Sequence, residues 1–397
     1  MKKEFPWKKI LIMTATHIGV AAVAVCVALL VSSATKDPGQ RKLEQIARYI
    51  ENYHVDNPDM NDVYDYAAAG MVAGTGDRWS YYISAADMQT YTDSKTNSYV
   101  GVGITVQIRE DGSGIDILSV TPGGPAHEAG VMPGDVIVGV DGTDVQQASV
   151  SDLSAMIKGE ENTEVTIRVT RDTIPMEFKL IRRTVEVKVA VGKLLEGNVG
   201  YVKINNFNEK CASETMLAVE DLLEQGATCI VFDVRNNGGG YKDELVKILD
   251  YLLPEGELFK AVDYRGREEV DMSDESCLEI PMAVLINSES YSAAEFFAAA
   301  LEEYGWAITG GDPTVGKGHM QVTMDLYDGS AVALSIGKYY TPKGVSLADQ
   351  GGLVPQIHVP VDDETAALIA SELIEPESDP QLQAVIEALT GKSQENP

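Results

Sequence analysis

The sequence predicts a multidomain fold that combines a single transmembrane helix, a helical arm, a β-rich domain and an α/β core. The chain has 397 residues. A single hydrophobic core rarely supports a chain of this length, so two or three domains are expected. An apolar run lies near the N-terminus, within residues 10–31. The hydrophobic period changes from 3.6 residues to 2 at about residue 99, and strands alternate with helices from residue 199.

The N-terminal apolar run predicts a membrane anchor. Residues 10–31 would span roughly 33 Å as a helix, enough to cross a hydrocarbon core. The preceding lysines place that end in the cytoplasm by the positive-inside rule; they are Lys2, Lys3, Lys8 and Lys9. A cleaved signal peptide, with its cleavage site at residues 32–34, is the alternative. We therefore expect residues 1–35 to form a single-pass anchor in the cell membrane and the rest to lie outside the cytoplasm.

The segments that flank the folded domains are predicted to be helical. Residues 36–95 carry apolar side chains at helical spacing, as in Leu43, Ile46 and Ile50. Residues 362–397 form an acidic C-terminal tail that contains a possible helix over 381–389. We expect a helical arm in the first segment and a possible homodimer formed through the arm and the tail.

Residues 96–184 predict a compact β-rich domain. Short runs of alternating or β-branched residues are separated by Gly, Pro and Asp; they cover 100–106, 115–120, 136–140 and 165–169. Two short helical stretches interrupt them, at 126–129 and 150–157.

Residues 185–361 predict an α/β domain. Strands are expected at 199–204, 229–234 and 283–286, and helices at 213–224, 244–252 and 292–304. This alternation is typical of folds that house catalysis.

Charge and cysteine spacing exclude two functional classes. The formal net charge is −30, which would repel a phosphate backbone, so no nucleic-acid partner is expected. The four cysteines have neither zinc-knuckle nor CxxC spacing. We therefore predict neither a metal nor a cofactor.

Ser292 is a candidate nucleophile because it follows a buried strand and begins a helix, where free backbone N–H groups stabilise negative charge. The alternative is a helix cap, since Ser292 and Glu295 have the S-x-x-E form of a capping box. A base must come from elsewhere, and His319 and Lys317 are the candidates in this region. Lys317 could act only with a lowered pKa, and a solvated loop lysine is the alternative.

Residues 311–318 also contain the G-x-x-x-x-G-K part of a phosphate-binding loop. Gly318 replaces the Ser or Thr that would hold magnesium, and no clear helix follows. A nucleotide-binding function is therefore disfavoured.

The β-rich domain resembles a PDZ domain. The matching segments are 100–104, 125–131 and 133–142. The resemblance implies that backbone N–H groups of a glycine loop bind a free C-terminal carboxylate while the peptide adds as a strand to the sheet. The implied tail-binding residues are Gly101, Val102, Gly103 and Ile104.

The α/β domain resembles the C-terminal processing (tail-specific) proteases. The matching segments are 233–240, 284–295, 311–321 and 338–344. The resemblance implies that Ser292 is the nucleophile, Lys317 the general base and Gln321 the residue that orients the lysine. It also implies an oxyanion hole made by the Ala293 amide and an amide of the glycine run 238–240, with Gly238 and Gly239 as the candidates.

Two departures from the family pattern affect this site. Asn-Gly-Gly-Gly stands at residues 237–240 in place of Asn-Pro-Gly-Gly, which leaves open which amide faces the oxyanion. Tyr291 and Ala294 interrupt the usual run of Ser and Ala around the nucleophile. We predict a serine endopeptidase that acts on proteins with free C-termini, and the alternative is a non-catalytic PDZ-containing envelope scaffold.

Overall fold

The computed structural model describes residue 17 and residues 37–109 and 114–391. The chain divides into two compact units, residues 1–76 and 77–397. The predicted anchor, residues 1–35, lies outside the described residues except for residue 17. Within the ranges just given, no helix combines the length and the apolar character that crossing a membrane requires.

The described part of the smaller unit contains helices α1 (Pro38–Tyr53) and α2 (Met60–Ala73). Asp37 and Asp59 precede them, and each carboxylate accepts a backbone N–H of the first turn. Pro38 stands at the first turn of α1, where a missing N–H costs nothing. The helical prediction for this part of the arm is confirmed.

The larger unit begins earlier than the sequence suggests. Residues 77–95, predicted as part of the arm, lie in this unit. They contain strand β1 (Tyr81–Ile83), which pairs antiparallel with residues 331–333, and most of helix α3 (Met88–Thr96). Hydrophobic period alone could not detect β1 because the strand has only three residues.

The predicted β-rich domain is present. The antiparallel order of its sheet is β3-β4-β5-β7-β8, with β6 paired to β5. These strands are β3 (Ile104–Ile108), β4 (Ile115–Val120), β5 (Val136–Val140), β6 (Thr143–Asp144), β7 (Glu164–Arg171) and β8 (Ile174–Ile181), and the helices are α4 (Pro125–Glu128) and α5 (Val150–Ile157). A separate ribbon pairs β2 (Ser98–Gly101) with β9 (Arg183–Glu186). Alternate side chains such as Ile115, Ile117 and Ile167 are fully buried, as expected for a sheet with one covered face.

The α/β domain is built on a six-stranded sheet of order β10-β11-β12-β15-β16-β19, in which only the β10–β11 pair is antiparallel. The strands are β10 (Ala190–Leu195), β11 (Val199–Ile204), β12 (Cys229–Asp233), β15 (Met282–Ile286), β16 (Ala307–Gly311) and β19 (Ile357–His358), and the helices are α6 (Cys211–Glu224), α7 (Lys242–Leu252), α8 (Ala293–Tyr304) and the short α9 (Leu347–Gln350). Every residue of β12 and β15 is buried. Their continuous apolar sequences follow from the cover on both faces of a parallel sheet.

A second sheet has the order β1-β18-β13-β14, with β17 also paired to β18. Its further strands are β13 (Gly256–Asp263), β14 (Glu268–Ser273), β17 (His319–Asp325) and β18 (Ala331–Tyr340). Because β17 starts two residues after Lys317, this sheet fixes the segment that carries the lysine.

The C-terminal segment is part of the fold. It contains α10 (Asp363–Ala370), a 3₁₀ turn (Pro376–Ser378) and α11 (Pro380–Thr390), which confirms the predicted helix over 381–389. Leu382 and Val385 of α11 are buried with residues of β12 and β15. This second half of the segment therefore completes the core on one face of the large sheet.

Candidate active site

A cleft of about 1320 Å³ lies in the larger unit and contains the predicted catalytic residues. Ser292, Ala293, Lys317 and Gln321 line it together with Gly238 and Gly239. Ser292 lies in the turn between strand β15 and helix α8, and Lys317 lies in the segment between β16 and β17. The fold thus brings three separate sequence motifs to one cavity.

Ser292 precedes the first residue of α8 and has an unusual backbone conformation, with φ +60° and ψ −124°. Such a conformation is strained for a residue other than glycine and persists only where neighbours hold it. The turn before it is held by Ser290, whose buried hydroxyl donates to the Val234 carbonyl at 2.7 Å, and by the Tyr291 N–H, which donates to the Asn237 carbonyl at 3.2 Å. The sharp turn places Ser292 in the wall of the cleft.

Lys317 is half-buried, and its amine lies among aromatic rings. The Nζ atom is 5.0 Å from the centroid of the Trp79 ring and 5.7 Å from that of Tyr291. Burial, followed by the charge of Lys95, lowers the pKa of Lys317 to about 8, although Glu295 and Asp77 act in the opposite direction. In the described chain Lys317 forms no ion pair, and no hydrogen bond joins it to Ser292. Its half-buried amine lines the same cavity as Ser292.

Glu295 connects the serine segment to the lysine segment. Its fully buried carboxylate accepts the backbone N–H groups of Ser292 at 3.2 Å, Gly316 at 3.0 Å and Lys317 at 2.5 Å, and the Thr314 hydroxyl at 2.8 Å. Burial raises its pKa, and these four donors oppose that effect. The sequence indicated Glu295 only as a capping residue, and local spacing could not reveal that it also binds a loop about twenty positions later.

The structure distinguishes the candidate oxyanion donors. The Gly239 N–H donates to Asn237 Oδ1 at 2.8 Å, so it is already occupied. The Gly238 N–H has no acceptor in the part of the chain that the structure describes, and the Ala293 N–H, at the first position of a helix, has no intrahelical partner. A Cβ at Gly239 would lie 2.7 Å from that of Ser292. Gly239 thus allows the backbone to pack closely against Ser292, while the N–H groups of Gly238 and Ala293 are the ones available to an oxyanion.

No hydrogen bond joins the side chains of Gln321 and Lys317 within the described residues. The Gln321 Nε2 donates instead to the carbonyl of Trp79, the residue whose ring lies over the Lys317 amine. The link that the sequence predicted is therefore indirect in this conformation. Trp79 has no place among the predicted site residues, since it belongs to the segment that was assigned to the arm.

His319, the other candidate base, also lines the cleft. Its Nδ1 is buried and has no hydrogen-bond partner in the described chain. Strand β17 begins at His319, so the G-x-x-x-x-G-K segment leads into a strand rather than into the helix of a phosphate-binding loop. Within the described residues, no group of His, Cys, Asp and Glu side chains could hold a metal ion.

Tyr339 is a second cleft residue that the sequence analysis did not identify. Its side chain packs against Phe259 and Phe296, with ring centroids 5.6 Å apart in each case. Burial raises its pKa well above the ordinary value, and the nearby Ser292 side chain partly opposes this. The hydroxyl therefore stays protonated next to the serine.

The predicted tail-binding residues lie between the ribbon and the β-rich sheet. Val102 is buried, and its carbonyl accepts the Ala126 N–H at 2.9 Å. Gly103 has φ +78°, which favours glycine, and its carbonyl accepts the Thr121 N–H at 2.9 Å. Ile104 begins β3, a strand at the edge of its sheet. An edge strand next to an anchored glycine loop is the geometry that peptide addition requires.

Comparisons with known proteins identify relatives of this chain. Residues 198–359 match the model of peptidase family S41, and residues 117–171 match that of the PDZ domain. The chain is 31% identical over 303 residues to a carboxyl-terminal-processing protease of Synechocystis, which covers 75% of this chain and 70% of that protein. It is 29% identical over 335 residues to the carboxy-terminal processing protease CtpA of Bacillus subtilis, covering 84% and 71%.

A crystal structure of a protein from Bacteroides fragilis that is assigned as an S41 protease has a similar fold. The TM-score is 0.58 at 18% sequence identity, and the match covers 88% of this chain and 98% of the other.

Proposed function

Because the chain belongs to peptidase family S41 and is a serine peptidase with a PDZ domain, we propose that it hydrolyses peptide bonds with Ser292 as the nucleophile and Lys317 as the general base. The observation that carries this proposal is the Lys317 amine. It is half-buried in the same cleft as Ser292, and its pKa is lowered to about 8. A lysine with such a pKa is partly neutral near physiological pH and can accept a proton.

The proposed reaction follows from the groups around the cleft. Lys317 takes the proton of the Ser292 hydroxyl as its oxygen bonds to the substrate carbonyl carbon, and the carbonyl oxygen becomes an oxyanion. The N–H groups of Ala293 and Gly238 donate to that oxyanion. The protonated lysine then gives its proton to the leaving amine as the peptide bond breaks. Water releases the acyl group from Ser292 by the same steps in the second half of the reaction.

Lys317 must approach Ser292 for this reaction. Its amine lies over Trp79 and Tyr291 at 5.0 and 5.7 Å, and a lysine side chain has several rotatable bonds that allow such a movement. The Glu295 carboxylate keeps the backbone of Lys317 next to that of Ser292, so only the side chain has to move.

The test compares Ser292→Ala, Lys317→Ala and His319→Ala on one unfolded protein substrate. We expect the first two to lose at least about 10³-fold in kcat/KM, as single losses in a nucleophile and base pair do. His319→Ala, which removes a neighbouring residue of the same cleft, is expected to retain most activity. An inactive His319 variant beside an active Lys317 variant would replace the dyad with a histidine mechanism.

We further propose that the PDZ domain captures C-terminal tails of substrates at Gly101, Val102, Gly103 and Ile104. The edge position of β3 and the anchored loop before it support this. A substrate with an amidated C-terminus should then be cleaved more slowly than the same substrate with a free carboxylate. Deletion of residues 99–184 should abolish the difference, and equal rates for both substrates in the intact protein would argue against tail capture.

Localisation outside the cytoplasm, with the N-terminus inside, is proposed from the apolar run at residues 10–31 and the lysines before it. Cells are stripped of the layers outside the cytoplasmic membrane while that membrane stays intact. Protease added to them should digest the catalytic portion. Protection of that portion until the membrane is lysed would contradict the proposed orientation.

A homodimer through the arm is proposed from one face of α1, on which Leu43, Ile46, Tyr49 and Tyr53 are exposed. Sedimentation analysis of residues 37–397 should give a dimer that Ile46→Lys weakens. A monomer at all concentrations would exclude this interface.

A further inference from the structure

A lysine that the proposed reaction does not use lies in the wall of the same cleft. Lys95 stands in the last turn of α3 and lines the cavity together with Tyr91, Tyr241 and the catalytic residues. Its amine is 5.5 Å from the ring centroid of Tyr91 and 5.6 Å from that of Tyr241. Two aromatic rings thus hold a cation that is partly removed from water.

The charge of Lys95 is not compensated by a carboxylate. It forms no ion pair within the residues that the structure describes, although the whole chain carries 61 acidic and 31 basic residues. Burial lowers its pKa, as expected for an amine without an anionic partner. Leaving a partly buried charge unpaired is costly, so such a site usually serves a ligand.

A second lysine of the cleft shows the contrast. Lys242, at the start of α7, pairs with Glu269 at 2.6 Å and Asp271 at 3.1 Å. Burial alone would lower its pKa, but the two carboxylates raise it. The same residue type in the same cavity is neutralised at one position and left available at the other.

The backbone around Lys95 is fixed. Asn97, which follows α3, is buried, and its side-chain amide donates to Asn206 Oδ1 at 3.2 Å and to the Glu209 carbonyl at 2.9 Å. The Asn208 amide donates to the Ser94 carbonyl at 2.8 Å. These bonds hold the last turn of α3 in place, so the backbone that carries Lys95 is positioned before any ligand arrives.

We propose that Lys95 is a binding site for a carboxylate of the substrate within the catalytic cleft. The carboxylate is either the side chain of an acidic residue close to the scissile bond or the free C-terminus. The ligand forms a charge-assisted hydrogen bond with the amine in a setting partly shielded from water. This inference rests on the proposed peptidase function and adds a preference for negative charge to it.

The test uses matched peptides that differ by a single charge. One series places Glu or Gln at each position on either side of the scissile bond, and a second carries a free or an amidated C-terminus. The enzymes are the wild type, Lys95→Met, which keeps the aliphatic stem between the two rings, and Lys242→Met as the matched control. Binding of the same peptides to Ser292→Ala, with and without Lys95→Met, measures recognition without turnover.

We expect the wild type to favour the charged peptide of one pair by about tenfold or more, mainly through KM. Lys95→Met should abolish this preference and Lys242→Met should retain it. The pair whose preference is lost in Lys95→Met identifies the source of the carboxylate, because a preference for a free C-terminus that arises in the PDZ domain would persist in that variant. The same charged-to-neutral ratio in the wild type and in Lys95→Met, in both cleavage and binding, would overturn the inference. Failure of the wild type to cleave any of the peptides or the unfolded protein substrate would instead refute the proposed peptidase function.

Discussion

Two clusters of buried charge in the larger unit differ in how completely they are paired. Arg235 is buried and forms ion pairs with Asp233 at 2.6 Å and Asp379 at 2.7 Å, and it also donates to Gln381 at 3.0 Å. In the catalytic cleft, by contrast, Lys317 faces two aromatic rings and has no ion pair within the described chain. One cluster is complete and the other lacks a partner.

The pKa directions follow this difference. Although burial would raise the pKa of Asp233, Arg235 and Lys203 hold it below its usual range. Burial likewise opposes the charge of Arg235, but Asp233 and Asp379 raise its pKa. For Lys317, burial and Lys95 act together and bring the pKa close to neutrality. Pairing therefore stabilises charges that hold the fold, whereas an unpaired amine with a lowered pKa meets the condition that the proposed proton transfer requires.

The largest expected effect on stability comes from breaking the complete cluster. Arg235→Met leaves the buried carboxylate of Asp379 without its cation and that of Asp233 with Lys203 alone, which should cost about 3 to 5 kcal/mol of unfolding free energy. Because Asp379 precedes α11, the C-terminal helix should detach first. Denaturant unfolding and hydrogen exchange in α11 would measure both effects. Lys338→Met, which breaks an exposed pair with Asp349, is the control and should change stability by less than about 0.5 kcal/mol.

Glu295 is buried like Asp233, but its carboxylate accepts hydrogen bonds from four neutral donors instead of pairing with a cation. In Glu295→Gln the side-chain NH₂ must face either the Ser292 and Lys317 N–H groups or the Thr314 hydroxyl and the Gly316 N–H, so at least one hydrogen bond from a backbone N–H is lost. We expect kcat to fall about 100-fold with little change in KM, because the serine and lysine segments lose their alignment. Glu289→Gln alters an exposed carboxylate three residues before Ser292 and should leave kcat and KM unchanged. Equal activity of both variants would mean that Glu295 only caps α8.

A smaller effect of opposite sign is expected when the unpaired charge is removed. The pKa of Lys317 is about 8 in the folded protein and 10.5 as the ordinary value, so the unfolded chain binds more protons between these pH values and stability rises with pH across that window. Below pH 8 the fold bears the full cost of the buried cation. Lys317→Met should therefore be more stable than the wild type at pH 7, by roughly 1 to 3 kcal/mol after solvent screening. The gap should close by about pH 10.5, and a variant less stable at pH 7 would contradict this reasoning.

The sequence predicted the parts of the molecule that depend on local pattern. The fully buried strands β12 and β15 and the turn glycine Gly103 each have a clear signature in their own segment. Contacts that join distant segments have no such signature. Glu295 resembles a simple cap until the lysine loop folds onto it, and Asp379 resembles part of an acidic tail until Arg235 is found beside it.

The aromatic surroundings of the lysine could not be predicted for the same reason. Trp79 lies more than two hundred positions before Lys317, in a segment whose composition favoured a helix, and strand pairing of β1 brings it to the cleft. The family resemblance supplied the candidate catalytic residues and Gln321 as the residue that orients the lysine, but it gave no sign that Gln321 donates to the Trp79 carbonyl.

The smallest expected effect concerns the two unpaired amines of the cleft. The groups that act on the charge of Lys317 are Lys95, which lowers its pKa, and Glu295 and Asp77, which raise it. Lys95→Met removes the repulsion, so the pKa of Lys317 should rise and the increase of kcat/KM with pH should move to higher pH by a fraction of a unit. The measurement uses an uncharged peptide, so that loss of a substrate contact does not enter.

Lys242→Met is again the control for this pH profile, because Lys242 lines the same cleft but is not among the charges that act on the pKa of Lys317. Its profile should coincide with that of the wild type. A shift of the Lys95→Met profile to lower pH, or equal shifts in both variants, would show that Lys95 does not act on the base electrostatically. An alkaline shift in Lys95→Met alone would instead show that the charge of Lys95 lowers the pKa of Lys317. A substrate carboxylate bound to Lys95 would neutralise that charge. An acidic substrate would then raise the pKa of Lys317 and make it a stronger base.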